Sequence, residues 1–358
     1  MACNQTVDKL VWFTLQACTA LIVFIKIVHM FISDPQKSLH IWGYMMKRSE
    51  ILGATEHILE KAGFRLSQRC HSRPCCFDLA AHGEKQLIFL KIHANIGNTC
   101  LNDAAELQKI SGCFSALPLI VGEKTRRKPL EDDTVYTRYD VCAITAKTLE
   151  DMLLRGVYPL VEAGPGGYYI KLDGTLIRKR RQELGLSVGK LAEMVGISRR
   201  TLYGYEKGMA KASVPAAYRL EWILGAPVVQ TTDVFQGPER LCFLATARRM
   251  IAKHRLLKAV FIKFAQFDFK VTSTGRAPFD FIARCPEKGL KIIGGVAESE
   301  ERNVDQRIRE VKSLGEVIGA HTVFITYGER SQDERVPLIC YKVLTKMKCP
   351  EELFAQLN

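Results

Sequence analysis

The sequence predicts a multidomain protein in which an all-α helix-turn-helix domain lies, along the chain, between two related α/β domains. Three observations predict this class. At 358 residues the chain is too long for a single small domain. Residues 176–208 carry apolar positions at helical spacing together with capping residues. The segments on either side alternate strand and helix patterns, in the same order.

The first 45 residues differ in composition from the rest of the chain. Residues 10–32 are almost wholly apolar, and a stretch of this length is sufficient to span a bilayer. One interpretation is a membrane segment or an uncleaved signal sequence. The other is an assigned start upstream of the natural one, because Met45 and Met46 offer later starts and a globular pattern follows at once. We favour the second interpretation and expect no membrane association unless residues 10–32 are truly expressed.

Residues 46–163 are predicted to form an N-terminal α/β domain. The strand at 87–92 is continuously apolar, so we expect it at the centre of a sheet with both faces covered. The other predicted elements are helices at 49–62, 102–111 and 146–154 and strands at 64–69, 75–81, 117–122, 135–139 and 141–145.

Residues 236–358 repeat the order of the first α/β domain. Phe279 and Asp280 match Phe77 and Asp78 in a similar local sequence. The predicted elements are helices at 239–253, 303–318 and 349–357 and strands at 264–273, 321–329 and 336–345. An internal duplication, with a different domain placed between the copies, accounts for this order most economically.

The middle of the chain carries the most specific local pattern. Residues 164–174 form a glycine-rich linker with a short strand or hairpin edge inside it, and residues 175–235 form the helix-turn-helix domain. Ser187 and Ser198 are predicted N-caps of two short helices, and Gly196 permits left-handed backbone at the turn between them. The buried positions are Leu191, Ala192, Val195, Ile197, Leu202 and Tyr205.

Charge supports a polyanionic partner for this central domain. The net charge of the chain is +13, and residues 173–222 hold ten Lys or Arg against five acidic residues. Positive charge on an exposed helix attracts phosphate groups without regard to their sequence. A run of charged residues alone, however, is also typical of a solvated face.

The pattern S-x-x-x-L-A-x-x-x-G-I-S-x-x-x-L-x-x-x-E-x-G, from Ser187 to Gly208, resembles the Cro and phage-repressor type of helix-turn-helix. The alternative, a helical hairpin inside an enzyme core, conflicts with two arginines aimed outward at the start of the second helix. The resemblance implies double-stranded DNA as partner, major-groove binding and a homodimer. The implied base contacts are Ser198, Arg199, Arg200, Thr201 and Gly204. The implied phosphate contacts are Arg180, Ser187, Lys190, Tyr203 and Lys207.

Both α/β segments are similar in outline to the restriction-endonuclease-like core, whose active members hold a divalent cation between two carboxylates beside a lysine. Asp78 and Lys91 match two of these positions, but Phe89 stands at the second carboxylate. In the second copy Asp280 is kept, and Ile292 and Gly294 replace the other two. We therefore expect no catalytic residues, no bound metal, no cofactor and no enzyme activity. A DNA-processing nuclease guided by the helix-turn-helix is the alternative function, with Glu298 or Glu300 as substitute ligands.

The twelve cysteines are scattered, and no CxxC pair is present. Cys70, His71, Cys75 and Cys76 form one cluster, but adjacent cysteines of a strand project to opposite faces, so we expect no zinc there. Free thiols throughout the chain favour a reducing, cytoplasmic location.

From Met46 to Leu357 the chain also resembles archaeal helix-turn-helix transcriptional regulators. The motifs that carry this resemblance are CFDLAA, LIFLKI, GPGGYYIKLDG and RRTLYGYEKG. The resemblance implies DNA binding and transcription regulation, with the α/β domains acting as scaffolds, dimerisation surfaces or sensors of an unknown effector. Residues 1–44 fall outside it.

Overall fold

The computed structural model describes residues 46–126, 128–232, 234–235, 255–287, 289–297, 303–327 and 336–357. The chain divides into two compact units. One is built on Leu160–Thr232, and the other combines Arg48–Pro159 with Asp233–Asn358. The two α/β segments therefore belong to one unit, although the helix-turn-helix separates them along the chain. The apolar stretch at 10–32 and the helix expected at 239–253 lie outside the described residues.

The N-terminal α/β segment contains a mixed sheet. Its strand β3 (Leu87–Asn95) is antiparallel to β2 (Leu79–His82) and parallel to β4 (Leu117–Lys124), which confirms the central position expected from its apolar sequence. The strand order is β1-β2-β3-β4-β6-β5. The remaining elements are α1 (Arg48–Lys61), β1 (Arg65–Leu66), α2 (Leu101–Phe114), β5 (Thr134–Arg138), β6 (Val141–Ile144) and α3 (Ala146–Arg155).

The C-terminal α/β segment has a second mixed sheet, with strand order β11-β12-β13-β14-β15. Antiparallel pairing joins its first three strands and parallel pairing joins the last three, as in the series β1-β2-β3-β4-β6 of the first segment. The elements are α8 (Arg255–Gln266), β11 (Lys270–Ser273), β12 (Phe281–Cys285), β13 (Leu290–Ala297), α9 (Val304–Ile318), β14 (His321–Thr326), β15 (Leu338–Cys340), α10 (Tyr341–Lys346) and α11 (Pro350–Leu357).

Strand register corrects the match between the two segments. Lys91 pairs with Ile120 in the first sheet, whereas Gly295 pairs with Phe324 in the second. Asp78 N–H donates to Leu90 O and Asp280 N–H to Gly294 O, so Leu90 corresponds to Gly294. The expected counterparts Ile292 and Gly294 are therefore wrong by one residue. The counterparts of Phe89 and Lys91 are Ile293 and Gly295, because the second hairpin is one residue longer in each strand.

Several other predicted strands differ in extent. The strand expected at 64–69 covers only Arg65–Leu66, and the strand expected at 264–273 begins at Lys270, because residues 264–266 are the last of helix α8. The strand expected at 336–345 ends at Cys340, and a helix begins at Tyr341. The strand expected at 75–81 begins only at Leu79, because the preceding backbone pairs elsewhere: Cys76 N–H donates to Arg276 O at 2.8 Å.

The two α/β segments share a hydrophobic core within their unit. A continuous cluster of buried side chains includes Phe77 and Phe89 of the first segment and Phe279 and Phe324 of the second. The Phe77 and Phe279 ring centroids lie 6.5 Å apart. Phe77 and Phe279 each precede the matching aspartates Asp78 and Asp280, so the two segments contact each other there through equivalent residues.

The other unit holds the helix-turn-helix. Its helices are α4 (Gly174–Glu183), α5 (Val188–Val195), α6 (Arg199–Glu206) and α7 (Val214–Leu224). The residues expected as a linker include strand β8 (Gly167–Leu172), which pairs with β7 (Val161–Gly164), β9 (Ala212–Ser213) and β10 (Val229–Gln230). Ile170 and Leu172 of β8 join the core formed by the helices. The stretch 164–174 is thus part of this unit's packing, because its apolar strand residues are buried there.

Candidate nucleic-acid interface

Local interactions fix the turn between α5 and α6. Ser187 Oγ accepts from Lys190 N at 3.0 Å, and Ser198 Oγ accepts from Thr201 N at 3.0 Å, so both predicted N-caps are confirmed. Gly196 ends α5 with φ +77°, in the left-handed region that a residue without Cβ adopts at low cost. Leu191, Val195 and Leu202 are fully buried, which holds the two helices together.

The outer face of α6 carries exposed polar and aromatic groups. Arg199 and Arg200 are exposed at its first turn, and neither forms an ion pair with any residue that the structure describes. Tyr203 is 51% exposed, and the Lys207 ammonium lies 5.7 Å from its ring centroid. This face therefore presents cations and one aromatic ring together.

Gly204 does not belong to this outer face. The expectation that it faces a groove is wrong, because the residue is buried and a Cβ there would lie 3.5 Å from Ala210 Cβ. Ser198 and Thr201 lie at the start of α6, where their hydroxyls form a hydrogen bond with each other at 2.8 Å. The unengaged donors at the start of α6 are consequently the two arginines.

The expected phosphate contacts divide into two groups. Ser187, Lys190, Tyr203 and Lys207 are exposed, and Lys190 makes only a solvent-exposed pair with Glu193 at 3.2 Å. Arg180 is instead engaged inside its unit: its guanidinium donates to Leu224 O at 3.2 and 3.3 Å and to Glu183 Oε2 at 2.7 Å. It satisfies the carboxyl end of α7, so the structure does not support a phosphate role for Arg180.

A buried ion pair that the sequence pattern did not predict lies behind α6, the second helix of the helix-turn-helix. Arg181 Nε lies 2.6 Å from Glu206 Oε1, its Nη1 donates to Leu186 O at 2.9 Å, and both side chains are at most 10% exposed. The hydrogen bond to Glu206 raises the pKa of Arg181 above its ordinary value. The acid of the E-x-G sequence and the basic run in α4 were the available signals for this pair.

A second missed contact supports the turn. Arg219 of α7 donates from Nη1 to Val195 O at 3.0 Å, so it satisfies a free carbonyl at the carboxyl end of α5. Asp173 caps α4 by accepting from Leu176 N at 2.9 Å, and the hydrogen bond from Thr175 lowers the pKa of this carboxyl. These contacts fix α4, α5 and α7 around the recognition helix.

The cysteine cluster of the α/β unit lacks the geometry of a metal site in the described residues. Cys70, Cys75 and Cys76 are buried in the apolar core, whereas His71 is exposed. Burial and neighbouring groups raise the pKa of the Cys76 thiol, which disfavours the thiolate that metals bind. In the described part of the chain, no group of three or more His, Cys, Asp or Glu has an arrangement that could hold a metal ion. Glu298 and Glu300 lie outside that part.

No helix within the described ranges is long and apolar enough to cross a membrane.

Comparisons with known proteins agree with both parts of this architecture. Residues 48–159 match a family model described as PD-(D/E)XK superfamily domain, and residues 177–228 match one described as helix-turn-helix. Among solved structures, a chain of a SinR protein/SinI protein complex matches 27% of this chain and 94% of its own length at 17% identity. Its TM-score of 0.15 is too low to carry an argument.

Relatives from several archaea match most of the chain. Proteins with the name "Putative HTH-type transcriptional regulatory protein" are 34% identical in Pyrococcus horikoshii (86% of this chain, 96% of the relative) and 34% identical in Methanocella arvoryzae (79% and 87%). A third, from Haloquadratum walsbyi, is 33% identical (80% and 89%). This identity extends over nearly the whole length of the relatives, and the chain therefore belongs to this archaeal family of HTH-type transcriptional regulatory proteins.

Proposed function

We propose that the chain is a sequence-specific DNA-binding transcription regulator that inserts α6 into the major groove of double-stranded DNA. The observation that carries the proposal is the pair of exposed guanidinium groups of Arg199 and Arg200 at the first turn of a rigidly capped helix. An arginine at this place reaches the O6 and N7 acceptors of guanine through two hydrogen bonds. The helix-turn-helix match and the name of the relatives support the same function.

Each exposed residue has a separate role in this proposal. Arg199 and Arg200 read bases, and Thr201 packs its methyl group against thymine. Ser187, Lys190, Tyr203 and Lys207 contact phosphates and set the position of the helix without reading sequence. The buried Arg181–Glu206 pair touches no DNA; it fixes the angle of α6.

We propose further that the regulator acts in the cytoplasm as a homodimer. A single recognition helix contacts few base pairs, and two half-sites one helical turn apart supply the specificity that a genome requires. Analytical ultracentrifugation with and without operator DNA tests this part; a single copy bound to one half-site would contradict it.

Alanine variants of the two contact classes test the assignment of roles. Arg200→Ala should relax preference at one base position, at a cost of about 1–3 kcal/mol for the preferred base. Lys190→Ala should weaken binding to all sequences and lower the salt slope by about one unit. Operator sequences are first selected from a random library, and affinities are then measured across a salt series.

Lys258→Ala is the matched control, because Lys258 is exposed on the α/β unit and loses the same charge. Equal losses for Arg200→Ala and Lys190→Ala on random DNA would contradict the division between base and phosphate contacts.

DNA cleavage is the second candidate function, and the PD-(D/E)XK match over residues 48–159 favours it. Incubation of supercoiled plasmid with the full chain and Mg²⁺ or Mn²⁺ distinguishes a nuclease from a regulator that does not cleave DNA. Cleavage that depends on the metal and disappears in Asp78→Ala, within the matched residues, or in Asp280→Ala would replace the regulator proposal, whereas intact plasmid supports it.

A further inference from the structure

The two α/β segments place one aspartate each at matching positions. Asp78 N–H donates to Leu90 O and Asp280 N–H to Gly294 O, each at 2.7 Å. Asp78 Oδ2 accepts from Ile92 N and Asp280 Oδ2 accepts from Val296 N, again each at 2.7 Å. The strand register makes all these atoms equivalent, so both carboxylates are held in the same way by their own backbone.

Side-chain cations occupy the remaining side of each carboxylate. Asp78 Oδ1 lies 2.7 Å from Arg48 Nη2 and 3.2 Å from Lys91 Nζ. Asp280 Oδ1 lies 2.7 Å from Arg73 Nη1, and its Oδ2 is paired with Arg307. Each centre therefore contains one negative and two positive charges.

The cations come from different elements in the two copies. Lys91 of the first copy corresponds to Gly295, where a Cβ would lie 2.9 Å from Arg307 Nη2 and closer still to the Phe324 ring. Arg307 is fully buried, donates to Pro278 O and Val296 O, and lies over Phe324. In the second copy the positive charge therefore comes from Arg307 of α9 and not from the strand. Gly295 has no side chain, and the Arg307 guanidinium occupies the space beside it.

The donors present do not fit the divalent cation of the PD-(D/E)XK superfamily. The positions of the second carboxylate hold Phe89 and Ile293, both fully buried. A Mg²⁺ or Mn²⁺ ion requires several oxygen ligands, and here a single carboxylate is shared by a backbone N–H and two cations. An additional dication beside two fixed positive charges is strongly disfavoured in a partly buried site.

We propose that the chain's own cations replace the divalent ion at both centres, and that the Asp280 centre fastens the two α/β segments to each other. The fastening group is Arg73, which extends from the first segment to the aspartate of the second. The neighbouring contacts also join the two segments. Glu310 accepts from His71 N and Ser72 N, each at 2.9 Å, and Glu106 accepts from Gly275 N at 2.9 Å.

These two glutamates connect the two α/β segments in both directions. Glu106 of α2 and Glu310 of α9 each lie nine residues before the left-handed residue that ends their helix, Ser115 and Gly319 respectively. Each accepts from the loop that precedes β2 or β12 of the other segment. In this proposal the two α/β segments form a pair within one chain that is held together without a metal ion.

The first experiment measures metal binding by the full-length chain. Free Mn²⁺ is followed by electron paramagnetic resonance during titration, and thermal unfolding is recorded with EDTA and with excess Mn²⁺. The proposal expects no saturable binding and no change in Tm between the two conditions. Saturable binding that is lost in Asp78→Asn or Asp280→Asn would overturn it.

The second experiment tests the fastening role by hydrogen exchange of the full chain. Arg73→Gln removes the cross-segment charge, and we expect about tenfold faster exchange of the His71 and Ser72 amides, which donate to Glu310. Lys258→Ala serves as control. Unchanged exchange in Arg73→Gln would overturn the fastening role. Loss of sequence-specific DNA binding by the helix-turn-helix is a separate readout, so failure of one proposal is distinguishable from failure of the other.

Discussion

Removal of the Glu206 charge should loosen the helix-turn-helix without altering any residue on its outer face. Arg181 and Glu206 are 10% and 6% exposed, and the guanidinium Nε lies 2.6 Å from the carboxylate. Glu206→Gln leaves a buried guanidinium with no compensating charge. Breaking a buried pair in this way costs roughly 3–5 kcal/mol. We expect the lower end, about 3 kcal/mol, because the glutamine carbonyl still accepts one hydrogen bond and Leu186 O still accepts from Arg181.

The assay is native-state hydrogen exchange of peptides covering residues 175–208 in the full-length chain. Exchange is preferable to a single melting curve because a chain of several domains is not a two-state system. A loss of about 3 kcal/mol corresponds to exchange about 100-fold faster for amides that open with this unit. Peptides from the α/β unit should exchange at the wild-type rate.

Glu193→Gln is the matched control, with the same chemical change on the same domain. Glu193 pairs with Lys190, but these side chains are 72% and 59% exposed, and an exposed pair contributes about 0–1 kcal/mol. Equal effects of Glu206→Gln and Glu193→Gln would refute the reasoning, because burial would then have no influence on the cost. A double substitution tests the same reasoning. Arg181→Met combined with Glu206→Leu should recover part of the lost stability, because no unpaired charge then remains buried.

Three further predictions concern two helix glycines and one buried carboxyl group. Gly196→Ala should destabilise the helix-turn-helix by about 1–2 kcal/mol, because φ is +77° and a Cβ would lie 3.0 Å from Arg219 Nη1. Gly53→Ala, in α1 with no atom within 4 Å of the added Cβ, should instead stabilise the chain by about 0.5–1 kcal/mol in the same exchange assay. Burial raises the pKa of Glu221 above its ordinary value, so the folded state loses stability as pH rises through that pKa range. Glu221→Gln should therefore be more stable than wild type at pH 7 and lose this advantage at acidic pH; a gain that persists below the ordinary glutamate pKa would contradict the assignment.

The parts of the structure that the sequence predicted are those determined by local interactions. Ser187, Gly196 and Ser198 act through backbone groups within four residues of themselves, so their spacing alone specifies the caps and the turn. The order of strands and helices was predictable for the same reason. The register of the second hairpin was not, because one added residue in each strand shifts β13 by two positions and no local signal marks the site of insertion.

Contacts between distant parts of the chain were the main omissions in the candidate sites. Gly204 matched an outward position of the helix-turn-helix pattern, but Ala210 packs near it after the chain turns back. The partners of Asp280 are 27 and 207 residues away, on α9 and on a loop of the other segment. Charge and spacing along the sequence contain no information about such partners, since they depend on which surfaces the two segments bury against each other.

The contacts of individual arginines show why a basic composition alone does not identify a DNA-binding surface. Arg307 is fully buried against one carboxylate and two carbonyls, and Arg180 and Arg219 satisfy the carboxyl ends of helices. The Arg307 charge is offset by Asp280 inside the fold, and the Arg180 and Arg219 guanidinium groups are held by hydrogen bonds to backbone carbonyls of their own unit. Arg199 and Arg200 have no such partner among the described residues. Their two charges at the first turn of α6 are therefore a more specific reason for DNA binding than the net charge of +13.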